Sequence, residues 1–270
     1  MPKVVTVFLL CCMLPFVTAA SSAPPRQELS SYAPIIRQNF RITKRVVVAI
    51  TVDFISTQNP AGATFRGIGS GVIVHPDGII FTNAHVVTAP PSFEIKEITI
   101  ELWNGERFPL KKIEWVDNEK DMARLKIDTT FGSYAKIDAR DFDNMNRDDA
   151  IGEEVITIGH PFGILQWDVS WGYITHPARK MPGTLYPFME LYLHVNPGNS
   201  GGGLFDSQGD LIGVPTALWP GSGISFAIPI KRFCDTDKEN GFNACAQTIP
   251  EKAPRAPEHT PLFPYTPSRR

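Results

Sequence analysis

The sequence predicts an all-β fold built from two small β-barrels, and three observations lead there. Twenty-one glycines and 24 prolines punctuate the 270 residues, and they fall between short runs rich in β-branched side chains, the pattern of strands joined by turns. Those runs recur at close spacing in two clusters, separated by a charged stretch without apolar period over 138–149. Evenly spaced short strands of this kind build barrels. No convincing amphipathic helical period precedes Ile230.

The first cluster opens with the apolar run 46–52. A second run, 67–74, ends at the turn signal His75-Pro76-Asp77-Gly78. The chain restarts at once over 79–82, so the two runs form a hairpin. Further strands are expected over 97–102, 108–115 and 122–127. The second cluster places strands over 153–158, 167–174, 189–195, 203–205, 211–214 and 224–228. The folded unit is therefore expected over 45–232, its two barrels over roughly 45–135 and 148–232. A short helix or turn follows Ile230.

The ends read differently. Lys3, the apolar stretch 4–17 broken only by Thr6 and Pro15, and the small residues over 18–23 predict a signal peptide over 1–20. The run is short of the ~20 residues of a bilayer span. The expected destination is thus export, periplasmic or extracellular, with no stable membrane insertion after cleavage. Leu10 before Cys11 is too large for a lipid-modified cysteine. Residues 21–44 form an entry arm, and the Pro-rich 249–270 is expected to be disordered. Loss of Cys11 and Cys12 with the signal leaves Cys234 and Cys245, which predict one disulfide closing a segment over 233–248. So short a loop contributes roughly 2–3 kcal/mol in the chain-entropy model. Two thiols without a nearby histidine do not suit a metal. A net charge of -2 with 43% hydrophobic residues is ordinary for a globular domain and offers no basic surface to nucleic acid.

Chemistry concentrates on Val195-Asn196-Pro197-Gly198-Asn199-Ser200-Gly201-Gly202-Gly203-Leu204. Glycines let backbone N–H groups line a tight loop around an exposed serine hydroxyl, though a glycine turn with an incidental serine has the same composition. A nucleophilic serine needs a base and a group that orients the base. Among the histidines, His75 lies in a turn, His259 in the tail, and His160 and His176 beside prolines. His85 follows a strand, in Phe81-Thr82-Asn83-Ala84-His85-Val86-Val87. Asp117, Asp121 and Asp128 are the nearby acids. Of these, Asp121 opens a strand in which Ala123, Leu125 and Ile127 alternate with Met122, Arg124 and Lys126. That position suits an acid facing a cleft.

Together these blocks resemble a family. The order His85, Asp121, Ser200 is that of the chymotrypsin-type triad. Gly69-Ser70-Gly71-Val72-Ile73-Val74, Asp121-Met122-Ala123-Arg124-Leu125-Lys126, Ile158-Gly159-His160-Pro161-Phe162-Gly163, the serine loop and Gly223-Ile224-Ser225-Phe226-Ala227-Ile228-Pro229 are similar to the HtrA/Deg branch of trypsin-like serine proteases. The resemblance covers roughly 45–232. Met122 and Arg124 stand where that branch usually shows Leu, and His160 where it shows Asn.

The resemblance implies two six-stranded antiparallel β-barrels packed together, with the active site in the cleft between them. It implies a serine endopeptidase acting through an acyl-enzyme on Ser200, with His85 as base and Asp121 as its orienting acid. The oxyanion hole falls on Gly198, Asn199 and Ser200, with the N–H groups of Gly198 and Ser200 as donors. Substrates would be polypeptides, unfolded or extended, with no metal and no cofactor. Val195 and the strand Gly213-Val214-Pro215-Thr216 would line the specificity pocket, and that strand would also pair with substrate backbone. With no carboxylate placed to meet Lys or Arg, small or medium aliphatic residues are expected there. Pro215 lacks the N–H that usually serves substrate, and His194 has no assigned counterpart. Asn199 replaces the Asp that pairs with a new N-terminus in cleavage-activated relatives, so activity should not depend on such an insertion. About 40 residues follow the last strand, too few for a PDZ domain, and trimerisation is not implied. The alternative reading is a catalytically weak module that binds peptides or a partner on a protease fold.

Overall fold

The computed structural model describes residues 40–41, 43–58, 64–163 and 167–247. The predicted signal peptide, the tail over 249–270 and nearly all of the entry arm lie outside these residues. Strands dominate. In the first half they are β1 (Val47–Ser56), β2 (Thr64–His75), β3 (Ile79–Thr82), β4 (Phe93–Glu101), β5 (Arg107–Pro109), β6 (Lys112–Asp117) and β7 (Met122–Lys126). The second half carries β8 (Glu154–Gly159), β9 (Asp168–Arg179), β10 (Phe188–Tyr192), β11 (Gly203–Asp206), β12 (Leu211–Trp219) and β13 (Ile224–Pro229), followed by helix α1 (Ile230–Glu239). Among the described residues that helix is the one long enough to carry an apolar face, and no helix there is long and apolar enough to cross a membrane.

The second half closes into a six-stranded barrel in the order β10-β13-β12-β11-β8-β9. The first half is a curled seven-stranded sheet, β5-β4-β1-β2-β3-β7-β6, rather than six strands. The extra strand comes from the single run expected over 108–115. This run breaks at a corner around Pro109, which has no N–H to continue a ladder. Before the corner it pairs with β4, where Leu110 N–H still reaches Ile98 O at 2.9 Å. After the corner it pairs with β7, where Lys111 N–H reaches Lys126 O at 3.0 Å. One bent segment thus joins the two margins of the sheet.

Three apolar clusters follow from this plan. One fills the first sheet, with Ile50, Ile80, Ala123, Leu125 and Ile127, and one fills the barrel, with Leu191, Leu204, Ile212 and Ala227. The third lies between them: Val72, Phe81, Met122, Ile158, Phe205, Val214 and Ile228 meet Phe233 and Cys234 of α1. Both faces of β7 are therefore buried, one in the sheet and one under the helix. Cys234 and Cys245 are disulfide-bonded, with Cα atoms 5.7 Å apart. The segment 131–150 crosses between the halves, held by Ala135 N–H on Ile73 O at 2.8 Å and Leu211 N–H on Lys136 O at 2.7 Å.

Candidate active site

His85 sits in a 3-10 turn, Ala84–Val86, immediately after β3. Ala84 and Val86 are buried and turn the imidazole outward, so its side chain is 48% exposed. Asp121 occupies the turn between β6 and β7 in the left-handed region, at φ 56, a conformation that Asp tolerates better than most residues. Asn83 Nδ2 donates to the Asp121 carbonyl at 3.0 Å and fixes that turn. The carboxylate then meets His85 twice. Nδ1 lies 2.9 Å from Oδ2 and 3.0 Å from Oδ1, and the His85 backbone N–H donates to Oδ1 at 3.0 Å. A carboxylate has no proton to give, so Nδ1 carries the hydrogen and Nε2 is left as the basic nitrogen.

Ser200 joins this pair through Thr216. The Thr216 hydroxyl donates to Asp121 Oδ2, and the Thr216 carbonyl accepts from Ser200 Oγ at 3.5 Å. One residue of β12 thus touches both the acid and the serine. Ser200 Oγ is turned to Thr216, and among the described residues it makes no hydrogen bond to His85. Hydrogen bonds of this kind are often long or misaligned without substrate.

The loop around Ser200 is built by anchoring its carbonyls. Pro197 O accepts from Phe162 N–H at 2.7 Å, and Asn199 O from Gly202 N–H at 3.0 Å. In a trans peptide the C=O and N–H point opposite ways, and no peptide here is cis. The Gly198 and Ser200 N–H groups therefore face away from these anchors, and neither has a hydrogen-bond partner among the described residues. Two such donors can hold an anionic oxygen. The Asn199 N–H is not a third, because it bonds Asn196 O at 3.0 Å. Gly198, at φ +105, is required: a Cβ there would overlap the His160 carbonyl.

The remaining sequence candidates fall out differently. Gly213 pairs on both edges, with Leu204 of β11 and Pro229 of β13, and Val214 is wholly buried. Pro215 spends its carbonyl on Gly201 N–H at 3.1 Å. These three do not offer an edge to a ligand, which corrects the expectation that they pair with substrate. Beyond Pro215, β12 pairs only with β13. Among the described residues its other edge is unpaired from Thr216 to Trp219, and Leu218 and Trp219 are exposed there. Val195 is buried in the barrel core, and His194 is exposed beside Gly223. Asp117 caps its own turn through Glu119 and Lys120 N–H, while Asp128 pairs with Lys111 at 2.8 Å on the surface. His75 and His176 accept local backbone N–H groups, from Asp77 at 3.2 Å and Ala178 at 3.0 Å. Sequence reasoning gave Thr216 no contact with Asp121 and Ser70 no role at all. For Ser70 a signal existed: a polar residue between two glycines inside the otherwise apolar run 67–74.

His160 is 1% exposed, and burial alone pushes its pKa down to about 4. An unfolded histidine titrates near 6.5, so between those values the unfolded chain binds a proton that the folded chain does not. Stability attributable to this group is intact above about pH 6.5 and falls as pH drops toward 4, by about 3 kcal/mol in all. His160→Asn cannot titrate. In urea melts, the wild type is expected to lose that amount relative to His160→Asn between pH 7 and pH 4. A pH-independent difference between the two would contradict it.

Comparisons with known proteins place the chain in a family. The trypsin-like peptidase domain family matches residues 69–214, more than half of the chain. A probable periplasmic serine endoprotease, DegP-like, from Pseudomonas savastanoi pv. phaseolicola is 37% identical over 171 residues, 61% of this chain and 33% of that protein. Its counterpart in Halomonas elongata is 36% identical over 170 residues, again 61% and 33%. The chain thus spans about a third of the length of these curated relatives. The structure of the HtrA-type protease AlgW with a decapeptide superposes with a TM-score of 0.62 at 25% identity, covering 76% of this chain and 66% of that one. With the family match covering more than half of its residues and the fold in agreement, the chain belongs to the trypsin-like peptidase domain family.

Proposed function

We propose that this protein is an exported serine endopeptidase, and that it cleaves extended or unfolded polypeptides in the periplasm or outside the cell. The observation that carries the reading is the linkage of His85, Asp121 and Ser200 through Thr216 below two unpartnered N–H groups. Ser200 Oγ attacks the scissile carbonyl as His85 Nε2 takes its proton. The carbonyl oxygen becomes an oxyanion and is held by the Gly198 and Ser200 N–H groups. Asp121, fixed by Thr216 and the His85 backbone, keeps the proton on Nδ1 and stabilises the imidazolium. His85 then protonates the leaving amine, and water repeats the sequence on the acyl-enzyme. Substrate backbone adds to the open edge of β12 from Thr216 onward, and the HtrA-type neighbours, whose structures carry peptides, support a polypeptide substrate.

The test is a peptide-library digest. Cleavage after small or medium aliphatic residues is expected, and Ser200→Ala should remove it. Cleavage after Lys or Arg would contradict the specificity. No cleavage of either the library or unfolded casein would favour the binding-module reading, to which the Ser200 hydroxyl lying on Thr216 lends some support.

A further inference from the structure

His160 and Ser70 take no part in the mechanism above, yet both are buried against the serine loop. Ser70 straps that loop on each side of Asn199. Its backbone N–H donates to Ser200 O at 2.9 Å, and its hydroxyl donates to Gly198 O at 2.7 Å. A hydroxyl has one hydrogen, and a carbonyl can only accept it. His160 Nδ1, 3.0 Å from Ser70 Oγ, must therefore be the donor in that contact, and the His160 backbone N–H adds a second bond to the same oxygen at 3.2 Å. Ser70 Oγ thus accepts twice and donates once, which leaves its hydrogen one direction to point. Trp167 packs edge-on against the imidazole at 4.5 Å, and the Trp167 indole N–H reaches Val47 O at 3.1 Å, so the ring is held from the far side. His160 Nε2 is buried and has no partner among the described residues.

We infer that His160 and Ser70 are positioning residues for the oxyanion hole: the imidazole N–H fixes the Ser70 hydroxyl as donor to the Gly198 carbonyl, which the His160 backbone N–H also approaches at 3.4 Å, and this holds the Gly198–Asn199 peptide, the unit that lies between the two carrying the Gly198 and Ser200 N–H groups. The inference rests on the serine-peptidase reading. It explains the two orientations that matter. With Gly198 O and Ser200 O tied to one residue, the peptide units between them cannot rotate independently. The neutral state of the buried imidazole leaves a single N–H, and Ser70 receives it. Asparagine can place an amide N–H where Nδ1 sits, whereas leucine fills the space without a donor.

The experiment uses the full-length protein and a peptide substrate, comparing wild type with Ser70→Ala, His160→Leu and His160→Asn. For each, kcat and KM are measured along with Ki for a peptidyl trifluoromethyl ketone, whose adduct carries its oxygen in the hole. Ser70→Ala and His160→Leu should lower kcat by about 10–10³-fold, the range for weakening one oxyanion donor. KM should stay within threefold, and Ki should rise in parallel with the loss of kcat. His160→Asn should restore most of kcat. The inference is overturned if Ser70→Ala and His160→Leu keep kcat within twofold, if His160→Asn is as impaired as His160→Leu, or if KM rises while Ki stays unchanged. Should His160→Leu fail to fold, the Ser70→Ala and His160→Asn pair decides alone. A wild type without activity would instead overturn the peptidase reading, a result separable from all of these.

Discussion

Asp121→Asn is expected to lower kcat by about 10⁴-fold with KM little changed, the magnitude seen when a triad acid is made an amide. The structure gives the reason. The Asp121 carboxylate accepts from His85 Nδ1, from the His85 backbone N–H and from the Thr216 hydroxyl. An amide keeps one of its two acceptor oxygens and replaces the other with an N–H₂ donor. Facing Nδ1, that donor forces the hydrogen to Nε2, and His85 can no longer accept the serine proton. A factor of 10⁴ corresponds to about 5.4 kcal/mol in the barrier. The fold should be unaffected, because the left-handed turn accepts Asn as readily as Asp. Steady-state kinetics and a thermal melt of the variant check both halves. Activity within tenfold of wild type would show that Asp121 does not set the tautomer.

The largest stability effect is expected at Asp237. This α1 carboxylate has no exposed surface and holds Arg124 Nη1 at 2.8 and 3.0 Å, Trp115 Nε1 at 3.0 Å and the Ala244 N–H at 2.8 Å. Arg124 also meets Glu114 at 2.5 Å and lies 4.3 Å over the Phe242 ring. Asp237→Ala leaves a buried guanidinium half-paired and strands two N–H groups. Breaking a buried pair from one side costs about 3–5 kcal/mol, so the urea midpoint should fall accordingly. A double variant, Arg124→Leu with Asp237→Ala, should recover part of that loss. A single-variant loss below 1 kcal/mol would mean that water enters and solvates Arg124.

This cluster also illustrates where sequence reasoning stops. Alternation along β7 correctly sends Ala123, Leu125 and Ile127 into the sheet, but it leaves Arg124 looking like a solvent-facing residue that departs from the family pattern. Its partner lies 113 positions away in a helix whose docking no local period encodes. The same limit applies at the site. His85, Asp121 and Ser200 were legible because each stands in a short block with its own signature. Thr216 was legible only as a strand residue, since its hydrogen bond to Asp121 depends on how the barrel seats against the first sheet. Gly213, Val214 and Pro215 looked available because a sequence does not reveal which edge of a strand its neighbours already occupy. The strand count of the first half came out one short for a comparable reason: a bend at Pro109 turns one predicted run into two strands.

The central claim is that Ser200 is a nucleophile activated by His85 and held beneath the Gly198 and Ser200 N–H groups. A fluorophosphonate probe followed by peptide mapping tests it most directly. One adduct per chain is expected, on Ser200, abolished in Ser200→Ala and strongly slowed in His85→Ala. An adduct on another residue, or none on a wild type that melts cooperatively, would contradict it.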